Sequence, residues 1–225
     1  MKTGRLVYLF MPAAIIMAFL YAPPAAGLGE ASRIVYFHVP LAWGSVLAFA
    51  VSGIFSIRYL FGSNGSEAML DMKAHHSAGI GLTFTVLAII SGSIWAKMSW
   101  GSYWNWDPRE TSIVILLLIY ISYFALFGAM SDNGNRGRIS SVYLILVMVI
   151  VPFFIFVVPR VYPSLHPDPI INAEKKMNMD IKMRMTLLVS TVSFTLLYVY
   201  FMGMRNRLMG IEQKIDEKIE NRREM

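Results

Sequence analysis

The 225-residue sequence contains no cysteine, and charged residues make up only 15% of it. Without a thiol, the chain cannot form a disulfide, build a thiolate metal site or hold a cofactor through a thioether bond. Any cofactor must therefore be bound non-covalently, through histidine, methionine or carboxylate side chains. The scarcity of charge accompanies a hydrophobic share of 56%, which exceeds that of ordinary soluble domains and predicts an integral membrane protein.

Several apolar stretches approach the length of about 20 residues that a membrane-spanning helix needs. They are residues 6–22, 41–61, 80–96, 113–130, 142–158 and 186–204. We therefore predict an all-α fold, a polytopic membrane protein whose six-transmembrane-helix bundle occupies residues 1–204. Because several stretches are short, we expect the helices to stand nearly upright. We expect the first stretch to be retained as a span, because Pro23 and Pro24 suit a signal-peptide cleavage site poorly.

Residues 205–225 form a charged tail. In this tail Leu208, Ile211, Ile215 and Ile219 recur at spacings of three, four and four, which is typical of a helix with a narrow apolar stripe. We predict a cytoplasmic tail helix that is either solvated or interfacial, or that docks on a partner subunit.

The basic residues predict the orientation in the bilayer. With both termini in the cytoplasm, that side carries twelve of the twenty Lys and Arg residues, six of them in the tail, against eight on the other side. The net charge of +6 is concentrated at span ends and in the tail, where anionic lipid headgroups attract it. We therefore expect these charges to interact with a lipid bilayer, and we expect the protein not to bind nucleic acid.

A tryptophan loop, residues 99–110 (Ser-Trp-Gly-Ser-Tyr-Trp-Asn-Trp-Asp-Pro-Arg-Glu), interrupts the apolar stretches. Aromatic belts at membrane interfaces scatter their residues over several helix ends. Here Trp100, Tyr103, Trp104 and Trp106 crowd one loop instead. The loop is therefore predicted to be a platform for a large, flat and partly apolar ligand.

The end of the tryptophan loop has the sequence of a helix start. Asp107 at the N-cap, Pro108 at N1 and Glu110 at N3 predict a capping box that opens the fourth span. Arg109 is not explained in this way, because a cation at the N-terminus opposes the helix dipole unless it meets an anion. A ligand carboxylate would supply that anion.

Counting spans places two histidines beside the tryptophan loop. His38 follows one predicted span, the loop follows three and His166 follows five, so all three lie on the same membrane face. His75 and His76 follow two spans and lie on the opposite face. We expect His38 at the mouth of the second span, with Pro40 in the first helical turn, and His166 on a proline-stiffened connector. A plain interfacial histidine and an incidental polar residue on a stiff connector are the alternatives.

Two imidazoles, an aromatic platform and a cation suit haem or a similarly flat ligand, because haem takes axial histidines, apolar ring contacts and basic partners for its propionates. Residues 100–110 resemble the WWD motif of the haem-handling proteins of cytochrome c biogenesis. With six spans and two flanking histidines, the chain is similar to the CcmC family of the system I pathway. The chain departs from the CcmC motif at Tyr103, where that family more often has tryptophan. The segment Asp-Pro-Arg-Glu resembles the corresponding segment of the sister proteins CcmF and CcsA, which are longer.

The resemblance implies a haem export and transfer protein of the bacterial inner membrane, with its site on the outer, periplasmic face. It implies transient, non-covalent binding of haem b, with His38 and His166 as axial iron ligands. The other site residues implied are Trp100, Tyr103, Trp104, Trp106, Asp107 and Arg109. The implied partners are the haem chaperone CcmE, the ABC components CcmA and CcmB and the small membrane subunit CcmD.

Two other classes of function fit the sequence less well. A small-solute or ion transporter usually carries ionisable residues within its spans, and the central spans here contain essentially none. An interfacial enzyme could use Asp107 and Glu110 as acid and base. The helix cap already accounts for both carboxylates, so we expect no catalysis by this chain alone.

Overall fold

The computed structural model describes residues 2–62, 67–130, 135–166 and 179–223. The α-helices are α1 (Lys2–Ile16), α2 (Val35–Phe61), α3 (Glu67–Trp100), α4 (Pro108–Ala129), α5 (Arg136–Pro152), α6 (Val158–Val161) and α7 (Ile181–Arg223). A π-helical turn, Met17–Tyr21, extends α1, and another, Phe153–Val157, joins α5 to α6; a 3-10 turn, Glu30–Ile34, leads into α2. Six helical segments in these ranges are long and apolar enough to cross a membrane, which confirms the all-α, six-span prediction.

The spans are longer than the sequence predicted. Helix α3 contains 34 residues and begins at Glu67, so residues 67–77, expected in a loop, are helical. At 1.5 Å per residue it is about 50 Å long, well beyond a hydrocarbon core of about 30 Å. The expectation that the helices are short is therefore wrong. Hydropathy detects only the apolar centre of a helix, whereas the backbone stays hydrogen-bonded well into the polar interface.

Small residues bring α2 and α3 close together along most of their length. The Ser52 hydroxyl donates to the carbonyl of Ala74 at 2.9 Å, and the Ser77 hydroxyl donates to the carbonyl of Ala48 at 2.8 Å. Side chains of this size let two helix backbones approach, and the hydroxyl groups find acceptors across the contact. Helix α2 also packs against α5 and α7, so it lies at the centre of the bundle.

The sequence Asn133-Gly134 between α4 and α5 predicts a tight turn at residues 131–135, of which residues 131–134 lie outside the described residues. The two helices do pack together, and the Tyr143 hydroxyl donates to the carbonyl of Ile119 at 2.9 Å. Helix α7 continues unbroken from the bilayer region to Arg223, so no helix end marks the proposed boundary at residue 204. The apolar stripe of the tail is exposed, with Leu208 52% and Ile211 54% accessible.

Candidate functional site

A cavity of about 650 Å³ lies at one end of the bundle, where α2 and α4 begin and α3 ends. Its volume falls within the range of about 300 to 1,000 Å³ that is usual for small-molecule sites. Most of its lining is apolar and comes from α2, α3, α4 and the second π-helical turn. The polar and charged side chains in the lining are Ser32, His38, Ser93, Arg109, Glu110, Ser112, Arg160 and His166.

His38 lies inside α2, one turn from its start, and not at a helix mouth as predicted. The 3-10 turn and the first turn of α2 form ahead of Pro40, so Pro40 is an interior residue of the helix. The ring of His38 faces α3, with Nδ1 3.0 Å from the carbonyl oxygen of Ala88 and 3.3 Å from Oγ of Ser91. A carbonyl oxygen only accepts, so Nδ1 carries the hydrogen, and in the neutral imidazole the lone pair is on Nε2.

His166 is held by a carboxylate. Its Nδ1 lies 3.1 Å from Oδ1 of Asp107. Burial lowers the pKa of His166 to about 4, although the Asp107 carboxylate acts in the opposite direction. The imidazole is therefore neutral at pH 7, with Nδ1–H donating to Asp107 and a lone pair on Nε2. Pro167 and Pro169, on which the prediction of a stiff connector partly depended, lie outside the described residues.

Aromatic rings fix the orientation of the same imidazole. The indole of Trp95 is stacked on His166 with ring centroids 5.3 Å apart and an interplanar angle of 28°. Trp100 meets the ring edge-on, at 4.8 Å and 80°. The sequence prediction did not include Trp95, because it lies within the apolar stretch assigned to the third span. Its position five residues before Trp100 was the available signal.

Asp107 is a buried junction between α4 and the segment that carries His166. It caps α4 in a capping box with Glu110, as predicted, and its Oδ1 accepts the Arg109 N–H at 2.9 Å. It also accepts the Ser164 hydroxyl at 2.9 Å and the Leu165 N–H at 2.7 Å. Burial alone would raise the pKa of Asp107, but these hydrogen bonds outweigh it and lower the pKa, so the carboxylate is ionised.

The four aromatic residues predicted as a platform occupy different environments. Trp100 is the last residue of α3, and Gly101, which follows it with a φ of 81°, turns the chain out of the helix. Trp104 lines the cavity. Tyr103 is 60% exposed, and Trp106, which has a φ of 57°, is 76% exposed. The cavity wall therefore uses Trp104 together with Trp95, while Trp100 contacts His166.

Two arginines line the cavity. Arg109 is the predicted cation at the start of α4. Arg160, in α6, is not among the predicted site residues; its Nη1 donates to the carbonyl of Phe156 at 2.6 Å. The cavity thus combines an apolar, aromatic wall with two cations and two imidazoles.

The other two histidines lie away from the cavity, towards the opposite end of α3. Nδ1 of His75 is 3.2 Å from the Tyr123 hydroxyl, and its ring centroid is 4.0 Å from that of Phe127. Neither His75 nor His76 lines the cavity. Span counting predicted this separation.

Comparison with known proteins agrees with the resemblance of the WWD motif. The model of the family described as heme exporter protein C matches residues 2–221. Heme exporter protein C of Bradyrhizobium diazoefficiens is 33% identical over 190 residues, which cover 84% of this chain and 71% of that protein. The Haemophilus influenzae protein of the same name is 31% identical over 194 residues, covering 86% and 77%. That of Escherichia coli K12 is 29% identical over 201 residues, covering 88% and 79%. The chain therefore belongs to the heme exporter protein C (CcmC) family.

Proposed function

We propose that this protein binds haem in the cavity, with His38 and His166 as axial ligands of the iron, and passes it on for cytochrome c maturation. The observation that carries the proposal is the pairing of the two histidines. Each lines the cavity, and each has Nδ1 bonded to an acceptor, the Ala88 carbonyl or the Asp107 carboxylate. Membership of the heme exporter protein C family supports the same cargo.

The hydrogen bonds prepare both imidazoles for ligation. A metal-binding histidine usually donates its second ring N–H to a carbonyl or carboxylate, which fixes the tautomer and raises the basicity of the other nitrogen. His38 and His166 both have this arrangement. Haem iron accepts two such neutral imidazoles. A bare metal ion is a poorer match, since no group of three or more His, Asp or Glu in the described ranges could hold one.

The rest of the lining suits the porphyrin. Trp104 offers an apolar aromatic surface to the ring, and Trp95, stacked on His166, adds apolar contact beside this ligand. Arg109 and Arg160 supply cations for the two propionates, and a guanidinium can bind a carboxylate through two parallel hydrogen bonds. With the exposed Tyr103 and Trp106 beside the cavity, the tryptophan loop would cover one edge of the bound ring.

The orientation of the chain gives the direction of delivery. We infer cytoplasmic termini and a periplasmic cavity from the excess of basic residues on the side of the termini. Haem bound there is available to a periplasmic chaperone, which the family resemblance identifies as CcmE. The ABC components CcmA and CcmB and the small subunit CcmD complete the proposed complex. The charged tail, residues 205–225, is assigned to the cytoplasmic side.

The test is the absorption spectrum of the protein purified in detergent from haem-replete cells. We expect a Soret band and a pyridine haemochrome signal that His38→Ala or His166→Ala weakens strongly. His76→Ala is the matched control, because His76 lies outside the cavity, and it should leave both signals unchanged. A colourless wild type would refute the proposal, and so would equal loss of haem in the His76→Ala control.

A further inference from the structure

One face of α3 touches both histidines of the cavity. The residues that form it recur at spacings of three and four, so they lie on the same side of the helix. They are Ala88, Ser91, Gly92 and Trp95. The first two hydrogen-bond to His38 and the last is stacked on His166. Since α3 rises 1.5 Å per residue, Gly92 and Trp95 are only about 4.5 Å apart along its axis.

Gly92 leaves room for the ring of His38. A Cβ added at this position would lie 2.8 Å from Cε1 and 3.2 Å from Nδ1 of His38. The ring cannot withdraw without lengthening its 3.0 Å hydrogen bond to the Ala88 carbonyl, one turn away on the same helix. Any larger residue at position 92 must therefore displace the imidazole.

Trp95 acts on the other imidazole. It is stacked along one face of His166, while Trp100 meets an edge of the ring and Asp107 binds Nδ1. Because one face, one edge and one nitrogen of the His166 ring are each in contact with a neighbour, its rotation about the side-chain bonds is fixed. The direction of the Nε2 lone pair is fixed with it.

We propose that this face of α3 sets the separation and orientation of the two imidazoles, and that Gly92 and Trp95 are positioning residues of the site although neither is a ligand. The inference rests on the proposed function, in which both imidazoles bind one iron. For both imidazoles to hold one iron, their Nε2 lone pairs would have to be directed at it together. A single helix in contact with both rings fixes their relative orientation. Two ligands on segments that moved independently would have no fixed relative orientation.

The first test compares two substitutions on α3. Gly92→Ala should bind haem but lose most of the six-coordinate, low-spin absorption and EPR signal in favour of a five-coordinate, high-spin one. Gly79→Ala is the matched control, because its added Cβ would come no closer than 3.7 Å to another residue, Phe124. It should keep the wild-type spectrum. A wild-type spin state in Gly92→Ala would overturn the role of Gly92.

The second test uses the stacked indole. Trp95→Phe retains a flat ring against His166, whereas Trp95→Leu retains only bulk. We expect the low-spin signal to fall in Trp95→Leu and to be largely restored in Trp95→Phe. Because a merely structural residue would show no such dependence on ring shape, equal spectra for the two variants would overturn the role of Trp95.

A third measurement needs no haem. Imidazole ¹⁵N NMR of the haem-free protein should show His38 with its hydrogen on Nδ1, and Gly92→Ala should change this signal while Gly79→Ala should not. If this result is obtained but the wild type binds no haem, the proposed function fails and the positioning of His38 stands. If the wild type binds haem and Gly92→Ala leaves both the NMR signal and the spin state unaltered, the positioning inference fails alone.

Discussion

Asp107 and His166 are 59 residues apart in the sequence, yet Oδ1 of the first lies 3.1 Å from Nδ1 of the second. The same carboxylate caps α4 and accepts the N–H of Leu165 and the hydroxyl of Ser164. The single buried side chain of Asp107 thereby joins the start of α4 to the segment that carries His166. Substitutions at this position can separate the two roles.

We expect Asp107→Asn to bind haem about 10- to 100-fold more weakly, because the substitution removes the carboxylate that orients His166. Its stability should fall less than that of Asp107→Ala, because asparagine keeps an N-cap oxygen, although its amide nitrogen then faces a donor such as the Leu165 N–H. Asp107→Ala should also lose about 0.5 to 2 kcal/mol of stability from the cap. Haem titration and thermal unfolding in detergent measure the two effects. Wild-type affinity in Asp107→Asn would contradict the assignment.

The lowered pKa of His166 predicts a pH dependence in the haem-free protein. The pKa is about 4 in the folded state against an ordinary value of 6.5, so the unfolded chain binds more protons between these values. The contribution to stability is complete above about pH 6.5 and is lost as the pH falls towards 4, with a total on the order of 3 kcal/mol. Denaturant unfolding at pH 7 and pH 4.5 should show this loss in the wild type. The loss should be smaller in His166→Gln, and an equal loss in both proteins would contradict the prediction.

Local patterns in the sequence predicted those parts of the site that depend on neighbouring residues. The capping box of Asp107 and Glu110 is such a case, because a helix start is determined within four residues. Span counting separated His75 and His76 from the cavity, since each crossing of a bilayer reverses the side. These two arguments required no knowledge of how the helices pack.

The partners of the histidines could not be predicted in the same way. His38 is bonded to a carbonyl of α3 that is 50 residues away, and carbonyls have no sequence signature. Which carbonyl it meets depends on the register between α2 and α3, which the small residues such as Ser52 and Ser77 set by close packing. Trp95 was missed for the same reason. Its stacking on His166 depends on where a distant segment returns to the bundle.

The proposed role of Arg109 can be tested with a modified ligand. Haem dimethyl ester lacks the propionate charges, so Arg109→Leu should weaken the binding of haem but leave that of the ester nearly unchanged. Arg109→Lys keeps the charge and loses the paired hydrogen bonds, and it should give an intermediate affinity. Absorption titrations of the three proteins with both ligands provide the comparison. Equal losses for haem and its ester in Arg109→Leu would indicate a packing role instead of carboxylate binding.

The close approach of α3 to its neighbours predicts a position where even one methyl group is too large. A Cβ at Gly81 would clash with the hydroxyl of Tyr120 and lie 2.9 Å from Cβ of Ala48. The Tyr120 ring is fully buried and stacked on Phe49 with centroids 3.5 Å apart, so it has no space into which to move. Gly81→Ala should therefore be destabilised by about 1 to 3 kcal/mol, the usual cost of overpacking a core.

Gly128→Ala is the control for this overpacking, because a Cβ there has no neighbouring atom within 4 Å. It should be as stable as the wild type or more so, since alanine favours a helix over glycine by up to about 1 kcal/mol. Thermal unfolding in the same detergent compares the variants. Because Gly81 lies two helical turns, about 10 Å, from the nearest His38 contact at Ala88, the Gly81→Ala protein that remains folded should keep the low-spin haem spectrum. Gly92→Ala should show the reverse pattern, with a changed spectrum and a smaller loss of stability. If both substitutions changed stability and spectrum in parallel, α3 would act through general packing and not through the face that contacts the two histidines.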